Sequence, residues 1–250
     1  KRQDRTQPFE GASGVIHPLL AESVTQFQAQ AYKELLPSGG PVNTEIVGEI
    51  LPEIEEQAKR VKDYMNYQLM YVMKEYDPDM DQLLFYLPLS GSAFKKTYYD
   101  GLLQRAVSKF VSSEDCVINY MASSLEDAVR ITHTTKIDGN ELRKQQVSGF
   151  YRDIPITSGS VSTTDDVKEK IDELQGVSDN LASDDDEHVL LEMHVDADVP
   201  GFEDQSGIKL PYIITVDQHS TKILSIKRNW FEQDQSRKRI DYFTHYKFLP

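Results

Sequence analysis

Glu192, His194 and Asp196 stand two residues apart in an aliphatic run, so an extended chain puts all three on one strand face, where nitrogen and oxygen donors can meet a metal ion. No further ligand at recognisable spacing accompanies them, and a solvated strand face produces the same alternation, which is the reading adopted. Asp184-Asp185-Asp186-Glu187 is acidic enough to attract a hard cation, yet it lacks the spaced oxygens and turn glycine of a calcium loop and reads as an acidic loop. Ser92, between Gly91 and Ala93, has the small neighbours of a nucleophile. Pro88, Gly91 and Ser92 read instead as a helix end turning into a strand, and no histidine or aspartate partner for Ser92 is identifiable. Cys116 sits in the apolar stretch Cys116-Val117-Ile118 and reads as a packed thiol; as the single cysteine, it also excludes an internal disulfide. Arg237-Lys238-Arg239 reads as a solvated basic loop rather than a DNA contact. Neither the zinc-helix, the phosphate-loop, the dinucleotide nor the nucleophile-elbow motif is present. The expectation is a protein without catalytic residues, bound metal or cofactor.

The elements that position these groups fall in a mixed order. Pro18 opens a helix whose Leu20, Val24, Phe27, Ala31 and Leu35 share one stripe, and Pro37 stops it. After Ser38-Gly39-Gly40-Pro41 a longer helix is expected over Pro52 to Tyr76, with Ile54, Ala58, Val61, Met65, Leu69 and Val72 at steps of three or four. Tyr64, Tyr67, Met70 and Tyr71 widen its apolar face. Burial in the chain's own core is the first expectation for that face, and a subunit interface through these four residues is the second. Asp77-Pro78 starts a short helix through Leu87. Strands are expected over Ala93 to Tyr99, Ala106 to Val111, Cys116 to Met121 and Arg130 to Ile137. Helices follow from Asp138, with Glu141 at capping-box spacing, to Val147, and over Thr163 to Leu174. A β-meander closes the chain: Val189 to Asp196, Tyr212 to Val216, Lys222 to Trp230 and Asp241 to Leu249, with Asp217 to Thr221 as a hairpin loop. The fold class is α+β, long amphipathic helices with antiparallel sheet. Its parts are a helical 1–91, a mixed 92–159, an acidic helix and loop 160–206 and a β-meander 207–250, read together as one continuous domain.

The formal net charge is −14 in 250 residues. Between Ser160 and Gln205 fifteen acids face two lysines, a balance of −13, while the rest carries 26 acids and 25 bases. A near-neutral body with one acidic block does not attract phosphates by simple charge, which argues against a sequence-reading DNA-binding module. No apolar run is long enough to cross a bilayer as a helix. The chain opens on Lys1 and closes on Pro250 straight after a strand-like run, and it reads as a stretch of a longer protein.

Several ordered strings carry a resemblance. Pro8-Phe9-Glu10-Gly11-Ala12-Ser13, His17-Pro18-Leu19-Leu20-Ala21-Glu22, Asp63-Tyr64-Met65-Asn66-Tyr67-Gln68 and Phe85-Tyr86-Leu87-Pro88-Leu89-Ser90-Gly91-Ser92-Ala93-Phe94-Lys95-Lys96 are similar to the tailed-bacteriophage portal proteins, the head-to-tail connectors. Gly149-Phe150-Tyr151-Arg152-Asp153, Pro211-Tyr212-Ile213-Ile214-Thr215-Val216-Asp217 and Ile226-Lys227-Arg228-Asn229-Trp230 continue it. The resemblance implies the wing region of a subunit in a dodecameric ring at a capsid vertex. Double-stranded DNA passes through such a ring during packaging and ejection without sequence-specific binding. Implied partners are other copies of the chain, capsid and scaffolding proteins and, through the full-length protein, terminase and tail adaptors; the implied place is the virion, after assembly in the host cytoplasm. The stem and the clip that meets terminase would lie beyond Pro250. Two other readings stay open: a metal-dependent hydrolase or nuclease using Glu192, His194 and Asp196, and a monomeric protein-binding adaptor.

Overall fold

The computed structural model describes residues 18–156, 187–204 and 207–248. The expected helix Thr163 to Leu174 and residues Asp184 to Asp186 of the acidic loop lie outside them. Among the described residues the architecture is α+β, with four α-helices and two antiparallel sheets. The chain divides into two compact units, one formed by residues up to Phe110 with those from Thr244 onward, the other by Val111–Phe243.

In the first unit α1 (Leu19–Leu35) packs along α3 (Tyr76–Ser90). Leu36, Met80, Leu83, Leu84, Leu87 and Ala93 form its buried core, edged by Phe27 and Ala31 from the α1 stripe and by Tyr32 beside it. The Tyr32 hydroxyl donates to Asp77 at 2.5 Å and Gln28 Nε2 donates to Asp81 at 2.7 Å, so polar bonds flank the apolar contact. Pro88 does not end α3: the helix runs to Ser90 and stops at Gly91, in the left-handed region at φ +75°. Proline's fixed φ is itself helical, so Pro88 removes one backbone donor in the last turn without turning the chain. β1 (Ser92–Asp100) then lies between β2 (Arg105–Val111) and β8 (Phe243–Lys247). The Asp79 carboxylate accepts from Phe110 N at 2.7 Å, tying helix to sheet.

The expected helix Pro52 to Tyr76 is three pieces: α2 (Pro52–Tyr67), a π-helical turn (Gln68–Val72), and a break before α3.

The second unit is a five-stranded sheet in sequential order: β3 (Cys116–Ile118), β4 (Arg130–Asp138), β5 (Glu187–Ala197), β6 (Leu210–Asp217) and β7 (Ile223–Arg228). Each neighbouring pair is antiparallel, with an irregularity at Thr215/Val216 between β6 and β7. α4 (Gly139–Val147) follows β4 directly, because the Asp138 carboxylate caps its first turn through Asn140 N and Glu141 N at 3.0 and 3.3 Å. Leu142 of α4, Leu190 of β5 and Leu224 of β7 meet as a small core with Ile137, Tyr151 and Ile154.

Two strand expectations are corrected. The strand from Cys116 keeps only three paired residues, since the chain turns at Asn119, whose carbonyl accepts from Ala122 N. The final strand leaves the meander altogether and pairs with β1.

Candidate assembly surfaces

α2 begins with proline at its first position and Glu53 and Glu55 in its first turn, so its N-terminus is well specified. Gly40, at φ +93°, lets the chain pass close over Asn66, where any Cβ would collide with the amide. The strand-like segment that follows is held along α2 by both ends of that amide: Val42 N donates to Asn66 Oδ1 at 2.9 Å and Asn66 Nδ2 donates to Val42 O at 3.0 Å. Thr44 Oγ1 donates to Ala58 O at 3.2 Å.

That is one flank of the helix. The adjacent stripe of Ile54, Val61, Tyr64 and Met65 is open to solvent, and no residue of α2 is buried. The expectation that this face lies in the chain's own core is therefore overturned: helical spacing identifies an apolar stripe but not what covers it. Of the four residues proposed for a subunit interface, Tyr64, Tyr67 and Tyr71 are exposed, at 62%, 54% and 73%, and Met70 is half-buried. The π turn widens the helix after Tyr67, and the rings of Tyr67 and Tyr71 stack at 5.8 Å with an interplanar angle of 24°.

A second apolar surface lies at the β3 edge of the other unit. Val117 is exposed there, followed by Tyr120 at 99% and Met121 at 87%, and Val129 at 65% precedes β4. The β3/β4 pairing ends at Ile118 opposite Ile131, and the chain turns at Asn119 before reaching Tyr120. Acids order the turns on either side of β3: Asp127 accepts from Ser123 and Ser124 at 2.7 and 3.2 Å in the loop before β4, and Asp115 accepts from Ser112 Oγ at 2.8 Å in the turn before β3. The serine hydroxyls hold the Asp127 carboxyl below the usual carboxylate range, so it stays anionic.

The residues considered for chemistry fall in different places. His194 is not on a wet face: it is 2% exposed, its Nε2 lies 2.8 Å from Glu192 Oε1, and its ring meets Tyr242 and Phe243 edge-on. Strand alternation could not show that residues 242–243 cover this side of β5. Asp196 is exposed, and among the described residues no three or more His, Cys, Asp or Glu side chains are grouped to hold one ion. Ser92 does have a histidine partner, contrary to expectation: its Oγ lies 2.7 Å from His245 Nε2. Burial lowers the His245 pKa, the ring stacks on Phe94 at 4.6 Å, and the bond joins the start of β1 to β8. Ser92 follows the C-terminal end of α3, whose partial negative charge disfavours a developing oxyanion. Cys116 is buried, and burial pushes its thiol up to about 12.

The basic cluster is corrected as well. Arg239 donates to Leu125 O and Ala128 O, both at 2.7 Å, and Arg237 pairs with Asp204, leaving Lys238 as its exposed member. A buried pair that sequence reasoning missed is His188 Nδ1 and Asp217 Oδ1, at 3.5 Å; Ser220 N and Oγ both donate to the other Asp217 oxygen. The signal available was an Asp opening a hairpin loop with Ser three residues on. No helix among the described residues is long and apolar enough to cross a membrane.

The chain matches no known protein-family model and no curated protein.

Proposed function

We propose that this chain is the wing region of a tailed-phage portal subunit, a non-enzymatic part of a ring that conducts double-stranded DNA. The observation that carries the reading is the uncovered apolar and aromatic face of α2 and its π turn. A folded chain that leaves such a stripe in water gains by association. A closed ring needs two different complementary surfaces per subunit, and the β3 edge offers a second one. The ordered strings that resemble portal proteins supply the class, and the near-neutral charge outside residues 160–205 suits a conduit past which DNA must slide.

A metal-dependent hydrolase draws no support from the geometry, because His194 is buried and paired with Glu192 while Asp196 is exposed. Sedimentation mass and negative-stain images of the full-length protein test the proposal. A closed ring of about a dozen subunits around a channel is expected; a stable monomer at every concentration would refute it.

A further inference from the structure

α2 is covered on one flank only, and the cover is its own neighbour in sequence. Ala58, Lys62 and Asn66, four residues apart, are its only residues that are not exposed. They lie on the flank where Thr44 bonds Ala58 O and where the Asn66 amide holds Val42 by both ends. Residue 42 meets 66 and residue 44 meets 58, so this strap runs back along the helix from its last turn towards its first. The close passage of Gly40 over Asn66 belongs to the same end. Strap and helix therefore make an arm whose two ends, at residues 40 and 67, come together. Residues 47–51 form its far end, about 24 Å away along a helix of 16 residues.

Burial starts where the arm meets the rest of its unit. Gln68, Leu69, Met70 and Val72 of the π turn are half-buried, and Met73 is buried. Just beyond, Glu75 is fixed by Arg105 Nη1 at 2.7 Å and accepts from Ser108 N at 3.4 Å. On the other connection Leu36 belongs to the buried core. Between these fixed points and the arm lie residues 37–39 and 73–74. Met73, at φ −85° and ψ 79°, is not helical, and Lys74 N donates just two residues back, to Val72 O at 3.1 Å. Pro37, Ser38 and Gly39 are exposed, and a Cβ on Gly39 would meet nothing within 4 Å.

We infer that residues 40–67 are a rigid arm that swings as one piece on the body of its unit, pivoting at residues 37–39 and 73–74. Elements with few buried apolar contacts open most easily, and a hinge is a few loop or element-end residues that absorb backbone rotation. The swing breaks none of the strap bonds and uncovers no part of the core around Leu83, because no residue of the arm belongs to that core. With the pivot at one end, a rotation of about 20° carries the far end about 8 Å. The stripe of Ile54, Val61, Tyr64 and Met65 is thereby re-aimed without anything unfolding. Such a swing belongs to the folded chain alone and holds whether or not copies form a ring.

Distances between pairs of spin labels test the swing, on the whole chain dilute enough to be monomeric and with Cys116→Ala, so that labels go only where they are placed. Glu49→Cys with Asp63→Cys reports within the arm, Lys33→Cys with Lys109→Cys within the body, and Glu49→Cys with Lys109→Cys between the two; all four positions are exposed. The two internal pairs are expected to give narrow distance distributions and the mixed pair one about twice as broad or more. Asn66→Ala, which removes both bonds to Val42, should broaden the arm pair and leave the body pair as it was. Circular dichroism of each variant checks that folding is intact. Limited trypsin digestion of the wild-type chain locates the pivot without any substitution: Lys74 is expected to be cut before Lys59, Arg60 and Lys62 of α2.

A mixed pair as narrow as the body pair would overturn the swing and make α2 a fixed projection. An arm pair as broad as the mixed pair would show the helix fraying rather than turning as a body, and first cuts inside α2 would overturn the pivot in the same way.

Discussion

Replacing Lys95 with methionine is expected to stabilise the protein at neutral pH. Lys95 lies on β1 and is 3% exposed, its Nζ has no hydrogen-bond partner, and it sits 3.8 Å from the centroid of the Tyr76 ring. Burial lowers its pKa from 10.5 to about 8, against the upward pull of Asp79 and Glu75. A displacement of that size disfavours the charged fold by about 3 kcal/mol relative to a solvated lysine. The aromatic face beneath the ammonium returns about 1 kcal/mol, so Lys95→Met, which keeps the stem and removes the charge, should gain about 2 kcal/mol. Below about pH 8 the amine is protonated in both folded and unfolded chains, and the whole penalty is present. Between there and about pH 10.5 the unfolded chain binds more protons, so the wild type gains stability as pH rises and the advantage of methionine shrinks. Urea unfolding followed by far-ultraviolet circular dichroism at about pH 7 and about pH 9.5 measures both gaps. Trp230, the single tryptophan, reports by fluorescence on Val111–Phe243 and serves as an internal control. A methionine variant less stable than wild type at neutral pH, or a gap that does not change with pH, would refute the reasoning.

Three further outcomes follow from the geometry. Cys116, buried and pushed up to about 12, should resist thiol reagents in the native protein and react promptly in urea; fast native labelling would show the strand edge to be open. Asp138→Ala should lower stability by about 1 kcal/mol, because two N–H groups of α4 lose their acceptor, and Asp138→Ser should recover most of it in the same denaturant titration. Arg239→Met should cost about 2 kcal/mol or more, since the Leu125 and Ala128 carbonyls lose a charged donor, and Trp230 fluorescence should report the earlier transition.

What could be read from the sequence was local. Proline at position 52 and the Asp138 cap mark helix starts through contacts within one turn, and the structure keeps both. The strands over residues 92–111 and 130–138 follow from β-branched and aromatic runs bounded by turns. The misreadings concern what covers an element. The alternation in β5 looked like a wet face because the cover, Tyr242 and Phe243, lies some fifty residues downstream. The stripe on α2 reads as core because helical period marks an apolar face without saying what packs on it, and among the described residues Ile54 and Val61 stay exposed. Ser92 and His245 are 153 residues apart, a separation no spacing rule addresses. The α2 tyrosines stand out in the sequence because they recur at helical spacing, whereas the β3-edge patch does not, because a strand of three residues leaves little pattern.

The division of the chain sets an order of events during synthesis. Residues 111–243 form an excursion between β2 and β8, so the outer strand of the first sheet is made only after the whole of that excursion. The meander, built from neighbours in sequence, can form while that sheet still waits with one edge of β1 unpaired. During that interval the β1 edge is the stretch most open to mispairing, and the arrival of β8, with His245 reaching Ser92, closes it.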